Sequence, residues 1–299
     1  MIKQPPYLKK GDKIAIVCPA KKLKKDISPS ISVLEEWGLE VVLGKTVHAA
    51  YHQFAGDDQL RTSDFQTALD DPDIKAIIAA RGGYGTVRII DGLDFSIYNQ
   101  QPKWIIGFSD ITVLLSHSLA AHDTQSIHSQ MPGVFDEASP ESLETLRKAL
   151  FGEPFSYSYT SDHLHRPGAA EGTLIGGNLS MLISIEGSVS QMDYKDKILF
   201  LEDVGEHEYA IDRMFRMLKR CGKLAGLKGL VIGAFNGIQP EDIPFGQSPE
   251  QIIMEIVKEY DYPVCFGFPV GHIQDNRALV LGKTARLLVE KNTVTLSYL

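Results

Sequence analysis

Short apolar runs alternate with longer segments in which apolar positions recur every three or four residues over the first half of the chain. The apolar runs predict strands and the periodic segments predict helices. Strands are predicted at residues 13–18, 39–43, 74–79 and 104–106. Helices are predicted at residues 27–37, 61–69 and 87–92. Because alternating strands and helices are typical of a parallel sheet covered on both faces, this half is predicted to be an α/β domain.

A polar, turn-rich stretch over residues 154–168 separates this half from the rest and predicts a linker. Beyond it, strands are predicted at residues 197–201, 229–234 and 264–268, and helices at residues 179–186, 210–221 and 249–260. Residues 277–299 alternate between apolar and polar positions, as the strands of a hairpin do, with a turn near Lys291. We therefore expect an N-terminal domain over residues 1–155, a linker over 156–170 and a C-terminal domain over 171–299.

The composition narrows the class of protein. The chain has 299 residues, a formal net charge of −8 and a pI near 5.6, which argue against a dedicated nucleic-acid binder or a protein of membrane surfaces. No apolar run approaches the roughly 18–20 residues that span a bilayer, and the first ten residues lack the apolar core of a signal peptide. The three cysteines lack paired spacing, which indicates reduced thiols. We expect a cytoplasmic protein.

The most informative segment is Gly107-Phe108-Ser109-Asp110-Ile111, which stands between a predicted strand and a predicted helix. A serine at such a turn has the arrangement of a nucleophile elbow, in which the first amides of the helix stabilise negative charge. Ile111 stands where the usual motif has a second glycine. The alternative is that Ser109 or Asp110 only caps an ordinary helix.

A nucleophilic serine needs a base, and the base needs a carboxylate that fixes its tautomer. His272 follows a predicted strand and a Pro-x-Gly turn, so it should project from a strand end as Ser109 does. Glu202 ends a continuous apolar run, and Asp203 and Glu206 are competitors that the spacing does not exclude. The other eight histidines carry no comparable pattern: His48, His52, His117, His122, His128, His163, His165 and His207.

The segment Arg81-Gly82-Gly83-Tyr84-Gly85 follows a predicted strand, and its glycines would let backbone amides approach a ligand closely. It lacks the residues of a P-loop and of a dinucleotide-binding motif. We interpret it as the source of a second amide for an oxyanion hole. The alternative is a close strand–helix turn without a functional role. No metal site is expected, since His163 and His165 would supply two ligands at most.

The chain resembles the LD-carboxypeptidase family, which includes the microcin C immunity peptidases. Ala-Arg-Gly-Gly-Tyr-Gly at residues 80–85 and Gly-Phe-Ser-Asp-Ile-Thr at 107–112 carry the resemblance most clearly. Further matching segments occur in family order over nearly the whole chain, at residues 11–15, 19–20, 176–179, 201–203, 212–213 and 271–272. Residues 128–132 depart from the family, which often has His-Gly-Pro there, and this departure bears on substrate preference.

The resemblance implies a catalytic triad of Ser109 as nucleophile, Glu202 as carboxylate and His272 as base. It implies that the amides of Asp110 and Gly83 form the oxyanion hole. The implied active site lies between the N-terminal domain and a small, β-rich, swivelling C-terminal domain, in a homodimer.

The expected function is that of a cytoplasmic serine LD-carboxypeptidase that releases the terminal D-alanine of murein tetrapeptides in cell-wall recycling, through an acyl-enzyme. Arg81 and Asn178 are candidates for binding the substrate. One alternative is a microcin C-type immunity peptidase that cleaves aminoacyl-nucleotide conjugates. Alternatives of another class are a non-catalytic α/β ligand-binding protein and a nucleotide-binding protein. No cofactor, nucleic-acid partner or membrane partner is expected.

Overall fold

The computed structural model describes residues 2–240 and 242–299, and the chain divides into two compact units. Unit 1 comprises Met1–Pro154, Gly187–Gln191 and Gln274–Gly282. Unit 2 comprises Phe155–Glu186, Met192–Ile273 and Lys283–Leu299. Each unit is built around one sheet.

The regular elements are named in chain order. The strands are β1 (Lys13–Val17), β2 (Glu40–Leu43), β3 (Ile74–Ala79), β4 (Trp104–Gly107), β5 (Ser126–His128), β6 (Ser156–Thr160), β7 (Gly168–Asn178), β8 (Lys197–Val204), β9 (Gly229–Asn236), β10 (Val264–Cys265), β11 (Leu279–Leu281), β12 (Thr284–Val289) and β13 (Thr293–Tyr298). The helices are α1 (Ser28–Glu36), α2 (Asp58–Asp70), α3 (Ser96–Gln100), α4 (Thr112–His122), α5 (Pro140–Phe151), α6 (Leu179–Ser184), α7 (Glu208–Arg220) and α8 (Pro249–Ile256).

The sheet of unit 1 has six strands in the order β11-β5-β4-β3-β1-β2. The first five strands of the chain pair in parallel, and β11 pairs with β5 in antiparallel orientation. Strand β4 is buried along its whole length and β3 along nearly all of it, as continuous apolar runs require. Because β3 and β4 pair in parallel, their carboxyl ends lie side by side. Ligands of parallel sheets bind at this edge.

The sheet of unit 2 has seven strands in the order β10-β9-β8-β7-β12-β13-β6. Strands β7 to β10 pair in parallel, whereas β12, β13 and β6 add an antiparallel part. Strand β12 alternates exposed and buried residues, because only one of its faces meets the core. The predicted α/β class, with a parallel N-terminal sheet and a separate C-terminal domain, is confirmed.

The structure differs from the expected domain boundaries in two places. The expected linker over 156–170 contains β6 and the start of β7, and both belong to the sheet of unit 2. Its Ser-Tyr-Ser-Tyr-Thr sequence suggests a loop, but the alternation buries Tyr157 against Phe155 and Phe268. Residues 274–282, expected in the C-terminal domain, supply β11 to unit 1.

The structure also differs from the predicted type of one element and from the predicted end of another. The helix predicted over residues 87–92 is a pair of 3-10 turns, Thr86–Arg88 and Ile90–Gly92. Strand β10 ends at Cys265, three residues earlier than predicted. Among the described residues, no helix is both long and apolar enough to cross a bilayer.

Candidate active site

Ser109 occupies a sharp turn between β4 and α4. The turn Ser109–Ile111 is a single 3-10 turn, and Ser109 has a φ of 62°, in the left-handed region that side-chain-bearing residues rarely adopt. A strand, a serine with strained backbone and a helix are the successive parts of a nucleophile elbow. The predicted elbow geometry is therefore present.

Gly107 is the residue that allows this turn. Its φ is 157°, and a Cβ atom placed on it would lie 2.9 Å from the Ile111 side chain. Since real Cβ atoms essentially never come that close, any larger residue would displace Ile111 and the turn with it.

Asp110 links the elbow to the glycine-rich loop. Its buried carboxylate accepts hydrogen bonds from the Thr86 amide at 2.9 Å and from the Thr86 hydroxyl at 2.5 Å. Burial raises the pKa of Asp110, while the Thr86 hydrogen bonds act in the opposite direction. Among the residues that the structure describes, no side chain caps α4, so the capping alternative for Ser109 and Asp110 is not supported.

The loop of residues 81–85 runs close to the elbow. A Cβ atom on Gly82 would lie 3.2 Å from the Ser109 Cβ and 3.3 Å from the Phe108 carbonyl oxygen. Gly83 has a φ of 111°, and a Cβ atom there would meet the Lys21 side chain at 2.5 Å. Glycine at position 82 lets the backbone of this loop approach the serine, and glycine at position 83 lets it pass beside Lys21.

Arg61 contacts this loop through its guanidinium group, and no motif in the sequence indicates that role. It lies on α2 with its side chain fully buried. Its Nη1 donates to the carbonyl oxygens of Pro19 at 2.6 Å and Gly85 at 3.0 Å, and its Nη2 donates to the Asp58 carboxylate. Burial lowers its pKa from the ordinary value, and Asp58 opposes that change. Arginine side chains on helices are usually exposed, so the helical pattern of α2 does not indicate that Arg61 is buried.

Arg81 borders a cavity of about 270 Å³ in unit 1. Its Nη1 donates to the Lys22 carbonyl oxygen at 2.6 Å. The cavity wall is apolar over most of its area, with charged residues at its margin. Its lining includes Leu23, Lys24, Lys25, Ala80, Arg81, Phe108, Met131, Gly133, Val134 and Glu137.

In unit 2, His272 and Glu202 are hydrogen-bonded. The distance from His272 Nδ1 to a Glu202 carboxylate oxygen is 2.8 Å. Glu202 lies near the end of β8 and is fully buried, whereas the His272 side chain is 22% exposed. A buried carboxylate on Nδ1 fixes the tautomer and the orientation of an imidazole that keeps an accessible edge.

Two neighbours fix the backbone that carries this histidine. Gly271 has a φ of 115°, and a Cβ atom on it would lie 3.0 Å from the Glu202 Cβ. The Asn236 side-chain amide donates to the His272 carbonyl oxygen at 2.7 Å. The Gly-His dipeptide therefore lets the chain pass directly beside Glu202. Asn236 is the last residue of β9, and its sequence gives no signal of this contact.

The competing carboxylates have other surroundings. Asp203 accepts hydrogen bonds from the Asn178 side chain and from the Ser180 and Val204 amides, each at 2.9 Å. Burial raises the pKa of Asp203, and the Glu202 charge adds to that rise. Burial also raises the pKa of Glu206, which lies past the end of β8. Of these acids, Glu202 is the one that contacts His272.

Asn178, a candidate for substrate binding, caps α6. Its Oδ1 accepts from the Met181 amide at 3.2 Å and from the Ser180 hydroxyl at 2.8 Å, while its Nδ2 donates to Asp203. Both ends of the Asn178 amide are thus engaged in the cap that joins α6 to Asp203.

The candidate residues thus form two groups. Unit 1 holds Ser109 together with Asp110, Gly83 and Arg81. Unit 2 holds the hydrogen-bonded pair Glu202 and His272. Within the described ranges, no cluster of three or more histidine, cysteine, aspartate or glutamate side chains has the arrangement of a metal site.

The chain matches two family models, the LD-carboxypeptidase N-terminal domain over residues 14–129 and the LD-carboxypeptidase C-terminal domain over residues 171–287. A probable murein peptide carboxypeptidase of Bacillus subtilis is 34% identical over 97% of this chain and 93% of its own length. The murein tetrapeptide carboxypeptidase of Pseudomonas aeruginosa is 32% identical over 92% of each chain.

Solved structures show the same likeness. A muramoyltetrapeptide carboxypeptidase from Oxalobacter formigenes matches with a TM-score of 0.86 and 30% identity, over 96% of this chain and 98% of its own. MccF, in a complex with glutamyl sulfamoyl guanosine, shares the fold with a TM-score of 0.86 at 22% identity, over 97% of each chain. The chain belongs to the LD-carboxypeptidase family and is a serine carboxypeptidase.

Proposed function

We propose that Ser109, His272 and Glu202 act as a catalytic triad. Ser109 attacks the scissile carbonyl carbon while His272 Nε2 takes the hydroxyl proton, and Glu202 stabilises the imidazolium that forms. The proton then passes to the leaving amine as the C–N bond breaks. Water, deprotonated by His272, attacks the ester and releases the acyl group from Ser109.

The observation that carries this proposal is the hydrogen bond between His272 Nδ1 and Glu202. An imidazole with a buried carboxylate on Nδ1 presents Nε2 as its basic nitrogen. The strained φ of Ser109 supports the other half, because backbone strain of this kind is concentrated at functional positions.

We further propose that the amides of Asp110 and Gly83 bind the oxyanion. Ser109 immediately precedes Asp110, whose amide opens the helical turn, and Gly82 packs against Ser109. Two backbone N–H groups beside a nucleophile are the usual means of stabilising a tetrahedral intermediate, and losing one typically costs a factor of about 10²–10³ in kcat.

The proposed substrate is a murein tetrapeptide, from which the enzyme releases the terminal D-alanine. The names of the relatives from Bacillus subtilis, Pseudomonas aeruginosa and Oxalobacter formigenes support this assignment. The cavity beside Arg81 supports it too. Its lining is largely apolar, Glu137 is ion-paired with Lys25 at 2.7 Å, and the further cations Lys24 and Arg81 suit a carboxylate on a short alkyl group. If Arg81 binds that carboxylate, Arg81→Ala should raise KM, and Lys22→Ala, which keeps the carbonyl that Arg81 contacts, should not.

We also propose that the reaction takes place in the cytoplasm, where it recycles cell-wall fragments, and that the working form is a homodimer. The acidic composition and the three cysteines support an intracellular site. Size-exclusion chromatography with light scattering tests the dimer.

The proposal is tested by incubating the purified protein with L-Ala-γ-D-Glu-meso-diaminopimelate-D-Ala and measuring free D-alanine. We expect release by the wild type and a loss of at least about 10⁴-fold in Ser109→Ala. An aspartyl sulfamoyl adenosine substrate is run in parallel, because a fold neighbour, MccF, has been solved in complex with that compound. Cleavage of the nucleotide conjugate alone would replace the murein assignment, and equal release by Ser109→Ala would exclude Ser109 as nucleophile.

A further inference from the structure

The glycine-rich loop at residues 81–85 is too flexible to fix its own conformation. Three of the five residues 81–85 are glycine, and Gly83 and Gly85 both have positive φ, at 111° and 142°. A segment of this composition has many accessible conformations, so an amide within it is fixed only by outside contacts. An oxyanion-binding amide must nevertheless stay within a few tenths of an ångström of its working position.

The outside contacts come from Arg61 and Asp110. Arg61 Nη1 binds the Gly85 carbonyl oxygen at 3.0 Å and, at the same time, the Pro19 carbonyl oxygen at 2.6 Å. Asp110 binds both the amide and the hydroxyl of Thr86, the residue after the last loop glycine. Thr86, Arg61 and Asp110 are all buried, so none of these contacts competes with water.

The Asp110 contact joins the two proposed amide donors to each other. Asp110 supplies one amide through its backbone, and its carboxylate anchors the loop that supplies the Gly83 amide. A displacement of the elbow is thereby transmitted to the loop, and the spacing between the two N–H groups is preserved.

Arg61 also acts on the charge of Asp110. A buried carboxylate beside an oxyanion hole disfavours the negative charge that develops there. The Arg61 guanidinium, equally buried and ion-paired with Asp58, offsets part of the charge of Asp110.

We infer that Arg61, Thr86 and the Asp110 side chain are positioning residues that fix the Gly83 amide relative to the Asp110 amide. This inference rests on the proposed oxyanion hole. It assigns these side chains no contact with the substrate.

The chain contains a matched control for the test. Thr46 and Asp64 form a second buried pair in unit 1, in which the Asp64 carboxylate accepts from the Thr46 amide at 2.9 Å and from its hydroxyl at 2.5 Å. These distances equal those of Thr86 and Asp110. Thr46→Val therefore removes the same hydroxyl contact at a place that holds no proposed amide donor. It also removes the acceptor of the Cys18 amide, which lies 2.8 Å from the Thr46 hydroxyl oxygen, so it is the more disruptive of the two substitutions.

The test compares Thr86→Val, Thr86→Ser and Thr46→Val in the full chain. We expect Thr86→Val to lower kcat by about 10–100-fold with KM changed less than about twofold, because the loss falls on the transition state. Thr86→Ser, which keeps the hydroxyl, should retain kcat within about threefold. Thr46→Val should lose at least as much thermal stability as Thr86→Val, because it also leaves the Cys18 amide without its acceptor, and it should keep its kcat. Equal kcat in Thr86→Val and Thr46→Val would overturn the inference.

Amide hydrogen exchange measures the same claim without the reaction. Exchange at Gly83 and Asp110 should be at least about tenfold faster in Thr86→Val than in the wild type, and unchanged in Thr46→Val. Unchanged exchange in Thr86→Val would refute positioning even if the variant were inactive. The two proposals can also fail separately. If exchange is faster in Thr86→Val but the wild type releases no D-alanine, the positioning role stands and the proposed function is wrong. If Thr86→Val does not fold, Asp110→Asn is measured in its place with the same expected changes in kcat and exchange.

Discussion

At the scale of single residues, the most telling value is the φ of 62° at Ser109. Left-handed backbone costs a residue with a Cβ atom roughly 1–2 kcal/mol, and the fold retains this cost at the proposed nucleophile. The strain arises from the backbone and the Cβ atom, so Ser109→Ala, which removes only the hydroxyl, keeps it. Ser109→Gly, which removes the Cβ atom as well, relieves it.

We therefore expect Ser109→Gly to be more stable than Ser109→Ala by about 1 kcal/mol, because glycine accepts positive φ without a Cβ penalty. Chemical denaturation of both variants measures the difference in unfolding free energy. Ser63, exposed within α2, is the control, and there Ser63→Gly should be less stable than Ser63→Ala by about 1 kcal/mol. The same order at both positions would show that Ser109 stores no backbone strain.

We expect His117 to make the stability of the protein depend on pH. It is buried on α4 with Nδ1 2.9 Å from the Ser190 hydroxyl and Nε2 3.2 Å from His122 Nε2. Burial lowers the pKa of His117 to about 4, and the charge of His122 adds to the effect. The unfolded chain, with a histidine pKa near 6.5, then binds more protons between about pH 6.5 and 4. Stability from this group is complete above about pH 6.5 and is lost as the pH falls towards 4.

We expect His117 to contribute a fall of up to about 3 kcal/mol to the unfolding free energy over this range, since each pKa unit corresponds to about 1.4 kcal/mol. His117→Gln should show a shallower fall, and His48→Gln, at an exposed position, should follow the wild type. Denaturation midpoints at several pH values provide the measurement. Parallel curves for the wild type and His117→Gln would assign the slope to other groups.

At the scale of elements, the elbow depends on the contact between Gly107 and Ile111. Gly11 has a φ of 88°, and a Cβ atom on it would meet nothing within 4 Å, so Gly11→Ala isolates the cost of backbone strain. Gly107→Ala adds a clash at 2.9 Å. We expect it to lose about 2 kcal/mol more stability than Gly11→Ala, together with most of the activity. Similar losses of stability in the two variants would mean that the turn tolerates a side chain.

The sequence predicted the elements whose patterns are local. Strand β3 was predicted to the residue, and α2, α7 and the hairpin of β12 and β13 within a few residues, because a buried strand or an amphipathic helix shows its environment in its own periodicity. Strand β6 was missed because its serine and tyrosine residues are typical of loops, and its burial comes from the aromatic residues it meets. The pairing of β11 with β5 joins residues about 150 positions apart, which no local pattern reports.

The candidate site divides in the same way. The motifs around Ser109, Gly83 and His272 are local and were recognisable. The residue spacing did not separate Glu202 from Glu206, and Glu202 was favoured by the family resemblance alone. The role of Arg61 depends on tertiary contacts that no local pattern shows. The same holds for Asn178, whose place in a matching segment did not reveal that its amide caps α6.

At the scale of the whole molecule, neither unit is a continuous stretch of chain. Unit 1 needs Gln274–Gly282, which supplies β11, a hydrogen bond from the Ala278 amide to the Thr145 hydroxyl at 2.9 Å, and a contact between Asn276 and His128 at 3.2 Å. Without this segment, the edge of β5 and its apolar neighbours are uncovered.

We expect a fragment of residues 1–154 to unfold without a cooperative transition in thermal circular dichroism. The same fragment with residues 274–282 joined by a flexible linker should recover part of the transition. A fragment of 1–154 that melts cooperatively within about 5 °C of the full chain would show that β11 contributes little.

The central claim is that Ser109 in one unit and His272 in the other serve a single reaction. It is tested most directly by comparing D-alanine release in Ser109→Ala, His272→Ala and the double variant, all in the full chain. Residues that act as one catalytic unit show strongly non-additive losses, so the double variant should be no more than about tenfold slower than either single variant. If the two losses multiplied instead, Ser109 and His272 would act independently, and the proposed triad would be wrong.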